Sequence, residues 1–391
     1  MVRFRGWFHL LLLPQLAVVV VLFAQAGAAA SRAGVYSTIT SEEIGAHIAE
    51  IQGPRSGTGN DANTAHLNEV AGYIRELLAD AGLVVSEDPV TFVGRTFPNI
   101  VGTLTGTTCP EKTLIVGAHY DGVSAGPGAD DNASGVAAML EVARVLSAQP
   151  LQASVDFAAF SFEEAGLVGS SQMAGAADSA DRELLGMINF DMIAYTCDES
   201  GCQDYPTGME PVRPTGDFLL VVGNSNSALL LNQFVAASAA AVPGLVVLPL
   251  EVPGNGETLP DVRRADHAPF WDHGYEALFV TDTADFRNPN YHLSTDELGT
   301  LNLQFAADTA NAAAATVVEA LTADGNGDGR ADVCGAPVGG SAESPQPELP
   351  VESGADESST PDAVLLAILT AAGVAVLAAA GAWFAVRRRS R

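Results

Sequence analysis

The chain has 391 residues, with 18 Lys and Arg against 47 Asp and Glu, a formal net charge of −29. Nucleic-acid binding needs clustered cations to meet phosphate, so this composition excludes that class of partner. The charge is also sorted: residues 1–30 and everything after Asp362 hold no acid, and all 47 acids with 12 of the cations fall between two apolar, basic ends.

Residues 1–30 begin with Arg3 and Arg5, continue through an apolar run from Leu11 to Phe23, and end in small residues from Ala24 to Ala30. This pattern predicts a secretion signal, with an uncleaved N-terminal anchor as the alternative. Residues 31–334 have the composition of one folded domain, long enough for a large α/β core and too short for two typical domains with linkers. Within it, residues 113–118 read as a buried strand followed by a Gly-rich loop. A helix then opens at Asn132, with Val136, Met139, Leu140, Ala143 and Leu146 at helical spacing. Further strands are predicted at 155–160, 187–190, 218–222 and 277–280, and helices at 227–241 and 301–321. This alternation predicts an α/β fold: a mixed, mostly parallel central sheet with helices on both faces.

Residues 335–362 are Ser, Pro, Glu, Gly and Asp with almost no large apolar side chain, which predicts a disordered acidic stalk. Residues 363–386 are 24 uncharged, mostly apolar residues, enough to cross a membrane as one C-terminal helix, and 387–391 form a basic tail of the kind that stays cytoplasmic. The expected location is therefore the cell surface, a single-pass protein with its folded domain outside. Leu349-Pro350 ahead of the apolar segment also resembles a sortase-type wall signal, although Val351-Glu352-Ser353 does not continue that pattern. Of the four cysteines, Cys197 and Cys202 are close enough for a small loop disulfide in an oxidising compartment, whereas Cys109 and Cys334 pair or stay free. None has the spacing of a zinc knuckle.

The informative polar residues sit at the carboxyl ends of the predicted strands, where such sheets gather their ligand sites. His119-Tyr120-Asp121 closes the first strand, Asp130-Asp131-Asn132 precedes the first helix, Glu163-Glu164 ends the second strand, Asp191 ends the third, and His292 follows the last. Acids crowded on one rim repel one another unless cations intervene, and imidazole with carboxylate is a zinc donor set.

Six ordered segments carry a specific resemblance: 117–121 (Gly-Ala-His-Tyr-Asp), 127–135 (Pro-Gly-Ala-Asp-Asp-Asn-Ala-Ser-Gly), 160–166 (Phe-Ser-Phe-Glu-Glu-Ala-Gly), 189–192 (Asn-Phe-Asp-Met), 266–270 (Asp-His-Ala-Pro-Phe) and 290–292 (Asn-Tyr-His). Together they resemble the secreted zinc aminopeptidases of clan MH, the bacterial leucyl aminopeptidase or aminopeptidase S type, over about residues 44–323. The resemblance implies two Zn²⁺ per chain. His119, Asp130 and Asp191 would hold one and Asp130, Glu164 and His292 the other, with Asp130 bridging and a cis peptide between Asp130 and Asp131. It implies Glu163 as general base and Asp121 as acceptor of the second ring N–H of His119; Tyr291 is the candidate oxyanion donor. Substrates would be peptides with a free N-terminus. Related folds keep three alternatives open: a glutaminyl-cyclase-like enzyme, a carboxypeptidase, and a binding ectodomain that has lost metal ligands. The complete ligand set favours hydrolysis.

The remaining histidines read as structural: His47 and His66 on helix surfaces, and His267 either structural or touching substrate. Asn132-Ala133-Ser134 is a glycosylation sequon inside the ligand motif and is discounted. Asp324, Asn326, Asp328 and Asp332 resemble the start of an EF-hand-like Ca²⁺ loop, but Gly335 stands where its bidentate acid belongs. The substrate pocket is expected from the stretch 197–264. Oligomeric state is not legible.

Overall fold

The computed structural model describes residues 38–335 apart from 208, 210 and 328. The expected signal at 1–30, the stalk beyond Gly335, the membrane helix at 363–386 and the basic tail lie outside the described residues. Among the described residues, no helix is long and apolar enough to cross a membrane.

Helix α1 (Ser41–Ile51) starts at Thr40, whose hydroxyl accepts from the Glu43 amide while the Glu43 carboxylate accepts from the Thr40 amide. This capping box satisfies two end groups, and the stripe Ile44, Ile48, Ile51 is buried. Helix α2 (Asp61–Asp80), capped by Asn60, buries Leu67, Val70, Ile74 and Leu78. Strands β1 (Val84–Phe92) and β2 (Arg95–Leu104) form a hairpin turned by Val93 and Gly94, both left-handed. The sequence pattern does not predict this hairpin: β1 contains Pro89 and buries little, and a β-branched residue opens the turn in place of Asn-Gly.

Strand β3 (Cys109–His119), helix α3 (Gly135–Leu146), β4 (Ala153–Phe160), α4 (Val168–Ser179), β5 (Leu184–Phe190), β6 (Leu219–Asn224), α5 (Ala228–Ala241), β7 (Val247–Val252), α6 (His267–Asp272), β8 (Leu278–Thr281) and α7 (Leu303–Thr322) complete the domain. All eight strands join one sheet in the order β1-β2-β4-β3-β5-β8-β6-β7. Its centre, β4-β3-β5-β8, is parallel; β2 and β6 flank it antiparallel, and β7 pairs parallel with β6. Alternate residues of the strands feed two separate cores. Val116, Phe157 and Ile188 pack with α1, α2, α3, α5 and α7, whereas Ile115, Phe160 and Met187 pack with Met173 of α4 and Phe270 and Trp271 of α6. Helices therefore cover both faces of a mixed, mostly parallel sheet, as expected. Helix α7 packs against α1, α3 and α5, and its buried Ala306, Ala307, Ala310 and Ala312 to Ala315 let three neighbours approach.

Both cysteine pairs are closed. Cys197 bonds Cys202, and Cys109 bonds Cys334 across 225 residues, fastening the chain after α7 to the amino end of β3. The helix predicted to open at Asn132 instead begins at Gly135. Residues Ala129–Ser134 form a wider turn with non-helical Asp131 and Asn132, in which the Asn132 amide donates to the Phe190 carbonyl and its oxygen accepts from Gly135 N–H.

Candidate active site

The carboxyl ends of β3, β4, β5 and β8 meet at one rim. His119 ends β3; its Nδ1–H donates to the main-chain carbonyl of Asp121 at 3.1 Å, which turns Nε2 outward. The Asp121 carboxylate lies farther off, 3.7 Å from Nδ1, and accepts the Glu163 amide at 3.0 Å. The expected carboxylate contact to His119 is thus a carbonyl contact, and the Asp121 side chain instead holds the turn that carries Glu163.

Two groups of donor atoms face each other across this rim. One comprises His119, Glu163 and Asp191; the other Asp131, Glu164 and His292. Asp131 joins them: its Oδ1 is 3.3 Å from His119 Nε2 and its Oδ2 is 3.0 Å from His292 Nε2. Asp191 lies 3.4 Å from His119 Nε2, and Glu164 lies 3.2 Å from His292 Nε2. The expectation for Asp130 is corrected here. Its Oδ1 accepts the Ala194 amide and the Ser134 hydroxyl and its Oδ2 accepts the Asn288 amide, so the Asp130 carboxylate is taken up by partners other than the two histidines. The expected cis bond is shifted by one residue as well, lying between Asp131 and Asn132.

The turns that aim these groups are held in uncommon backbone conformations. Phe162 before Glu163, Met192 after Asp191, and His292 itself have φ of 57°, 56° and 58°. Left-handed non-glycine residues cluster where surrounding structure over-determines them, often at functional sites.

Electrostatics reflect the crowding. Burial disfavours charge on His119, yet Glu163 and Asp191 push its pKa well above the ordinary value. His292 is likewise raised to about 10, by Asp131 and Glu164 against the cost of its burial. Burial, followed by Asp131, pushes Glu164 up to about 7, and burial raises Glu163 well above the usual carboxylate range. Glu164 Oε1 is buried without a hydrogen-bond partner. Two imidazoles, four carboxylates and an orphaned carboxylate oxygen around one point fit a pair of divalent cations with N and O ligands.

Tyr291 stacks on His292, 3.8 Å between ring centroids, and its hydroxyl accepts from Arg264 at 3.1 Å. Burial raises its pKa above 10, so the phenol keeps its proton. Beside the two groups opens an apolar pocket, walled by Met192, Phe218, Leu220, Leu250, Val262 and Phe279 among others. Much of it comes from the stretch 197–264, as expected. His267 lies behind this wall, fully buried, bonded to the Val262 carbonyl and stacked on Phe279, so it is structural. His47 is not merely a surface residue: it bonds Tyr73 and Glu141 between helices. The Asp324 carboxylate accepts the amides of Gly327 and Gly329 and that of Asp332 the Gly325 amide, while Asp328 is outside the described residues.

The sequence profile of peptidase family M28 matches residues 99–317, a span that holds His119, Asp131, Glu163, Glu164, Asp191, Tyr291 and His292. The chain belongs to peptidase family M28. It is a hydrolase that acts on peptides. An uncharacterised Escherichia coli protein, YfbL, is 35% identical over 270 residues, covering 66% of this chain and 80% of that protein. The aminopeptidase LapA of Legionella pneumophila shares the fold at a TM-score of 0.59 and 20% identity, over 75% of this chain and 74% of its own. So does a glutaminyl cyclase of Porphyromonas gingivalis, at a TM-score of 0.55 and 15% identity over 72% and 99%. The M28 fold alone therefore does not choose between peptide hydrolysis and cyclisation, and the choice rests on the side chains.

Proposed function

We propose that the protein is a di-zinc aminopeptidase that removes single residues from the free N-terminus of peptides. The observation that carries this reading is Asp131, whose two oxygens address His119 and His292 separately, each histidine being completed by a further acid. A single-metal cyclase needs only one such group. His119, Asp131 and Asp191 would hold one zinc and Asp131, Glu164 and His292 the other. Bound there, zinc would lower the pKa of a water and polarise the scissile carbonyl.

Glu163, beside the ligands yet directed toward His119 only at 3.9 Å, takes the proton of the attacking water and delivers it to the leaving amine. The Tyr291 hydroxyl, already accepting from Arg264, keeps its own proton to donate to the developing oxyanion. The apolar pocket takes the side chain of the first residue, and the carboxylates around it receive the α-ammonium, so a blocked amine loses its place. The two disulfides support an oxidising compartment, and with residues 363–386 as anchor we place the domain on the outside of a membrane. Metal analysis of the purified protein before and after chelation tests the centre: two zinc per chain, with activity lost on chelation and restored by zinc, is expected, and one zinc at full activity would contradict it.

A further inference from the structure

His119 and His292 come from segments far apart in sequence, yet both must meet Asp131. Each of those segments is tied to the Asp131 turn by one buried charged residue. Arg55 is fully buried, and its five N–H donors all go to main-chain carbonyls: Nε to Tyr120 at 2.9 Å, Nη1 to Gly53 at 3.3 Å and Pro127 at 2.6 Å, Nη2 to Gly128 at 2.8 Å and Asp131 at 3.3 Å. The guanidinium thus joins the residue after His119 to the turn ending at Asp131. Gly128 shows how closely the turn is moulded to it: with φ at +60°, a Cβ there would sit 2.9 Å from Nη1 and 2.3 Å from the Asp131 carbonyl oxygen.

Asp296 makes the complementary contact. It stands four residues after His292, is 1% exposed, and accepts the Asp130 amide on Oδ1 at 3.0 Å and the Asp131 amide on Oδ2 at 3.1 Å, while its carbonyl accepts Ala129 N–H. Carbonyls of the turn are therefore gripped by a guanidinium from the His119 side, and its amides by a carboxyl group from the His292 side. Ion pairing is not what holds Arg55 here, because every donor is spent on backbone.

We propose that Arg55 and Asp296 are paired positioning residues of the metal centre, Arg55 setting Asp131 against His119 and Asp296 setting Asp131 against His292. The proposal rests on the two-zinc reading above. Outer partners of this kind orient ligands before the metal arrives.

Arg55→Lys keeps the charge and loses the five-donor fork; Asp296→Asn keeps the shape and loses one acceptor and the charge. Each is compared with the unaltered protein in three measurements: zinc affinity by competition with a chromophoric chelator, kcat and KM on a leucyl anilide, and melting temperature in chelator. Positioning predicts zinc binding weakened about 10–100-fold and kcat reduced to a similar degree, with KM within about twofold, while the metal-free variants still melt cooperatively, at a lower temperature than the unaltered protein because buried backbone groups lose partners. Unaltered zinc affinity in both variants, or failure of both to fold without metal, would overturn it and leave the residues as braces of the fold. Absence of zinc from the unaltered protein would instead remove the two-zinc reading, whatever the variants do.

Discussion

Asp130 and Asp131 are neighbours in the chain whose carboxylates serve different purposes: Asp131 faces His119 and His292, while Asp130 is consumed by Asn288, Ser134 and the Ala194 amide. Asp131→Ala is expected to abolish retention of both metals. Asp130→Asn is expected to retain them and to lose about 1–3 kcal/mol of stability, because an amide N–H₂ would then meet other donors in a buried site. Metal content and thermal melting of the two variants separate these roles; the reverse pattern would restore Asp130 as the bridge.

Glu163→Gln removes the proton acceptor while preserving shape. Both zinc ions should remain, and kcat should fall about 10²–10⁴-fold, the usual worth of general acid–base catalysis. A variant that keeps its turnover would show the base to be misassigned.

Tyr291→Phe deletes one donor to the oxyanion and leaves the ring stacked on His292. A fall in kcat of up to about 10²–10³-fold with unchanged metal content is expected. If KM rises and kcat is unchanged, Tyr291 binds substrate without serving the transition state.

The pH dependence of stability should differ between the metal-free and the zinc-loaded protein. In the metal-free protein, burial above all holds Glu164, Asp266 and Asp296 up at about 7, so they bind protons that an unfolded chain, titrating near 4, has released. Stability from these groups is present at acid pH and lost as pH rises toward 7. His292, raised to about 10, adds stability that is lost as pH rises through that value. His267, held at about 3 by burial, opposes them below pH 6.5, since the unfolded chain takes up a proton that the folded one refuses. The metal-free melting temperature should therefore rise from pH 8 to pH 5.5. Zinc must displace protons from His119 and His292, so the stabilisation it adds should be larger at pH 8. Melting scans in chelator and with stoichiometric zinc at both pH values test the pair of trends; parallel curves would contradict them.

The central strands, the two-faced packing and His119, Glu163, Glu164, Asp191 and His292 were legible because apolar runs of strand length end in polar residues on one rim. The bridging acid was not. Spacing does not distinguish Asp130 from Asp131, since what decides is the backbone of a turn in which Asp131 and Asn132 leave helical geometry. The positioning roles of Arg55 and Asp296 were not legible for a related reason: they act through main-chain atoms, which leave no side-chain pattern. The β1–β2 hairpin escaped because an edge strand with Pro89 and few buried residues carries no alternation. Phe218, Leu220 and Leu250 are common core residue types, and only the open edge near β7 turns them into a pocket wall.

The proposed aminopeptidase reads a free N-terminus with a two-metal centre. Hydrolysis of leucyl anilide and of N-acetyl-leucyl anilide by the zinc-loaded protein tests it most directly. Cleavage of the first, abolished by chelation, and none of the second are expected; comparable cleavage of the acetylated substrate would rule out recognition of the free amine.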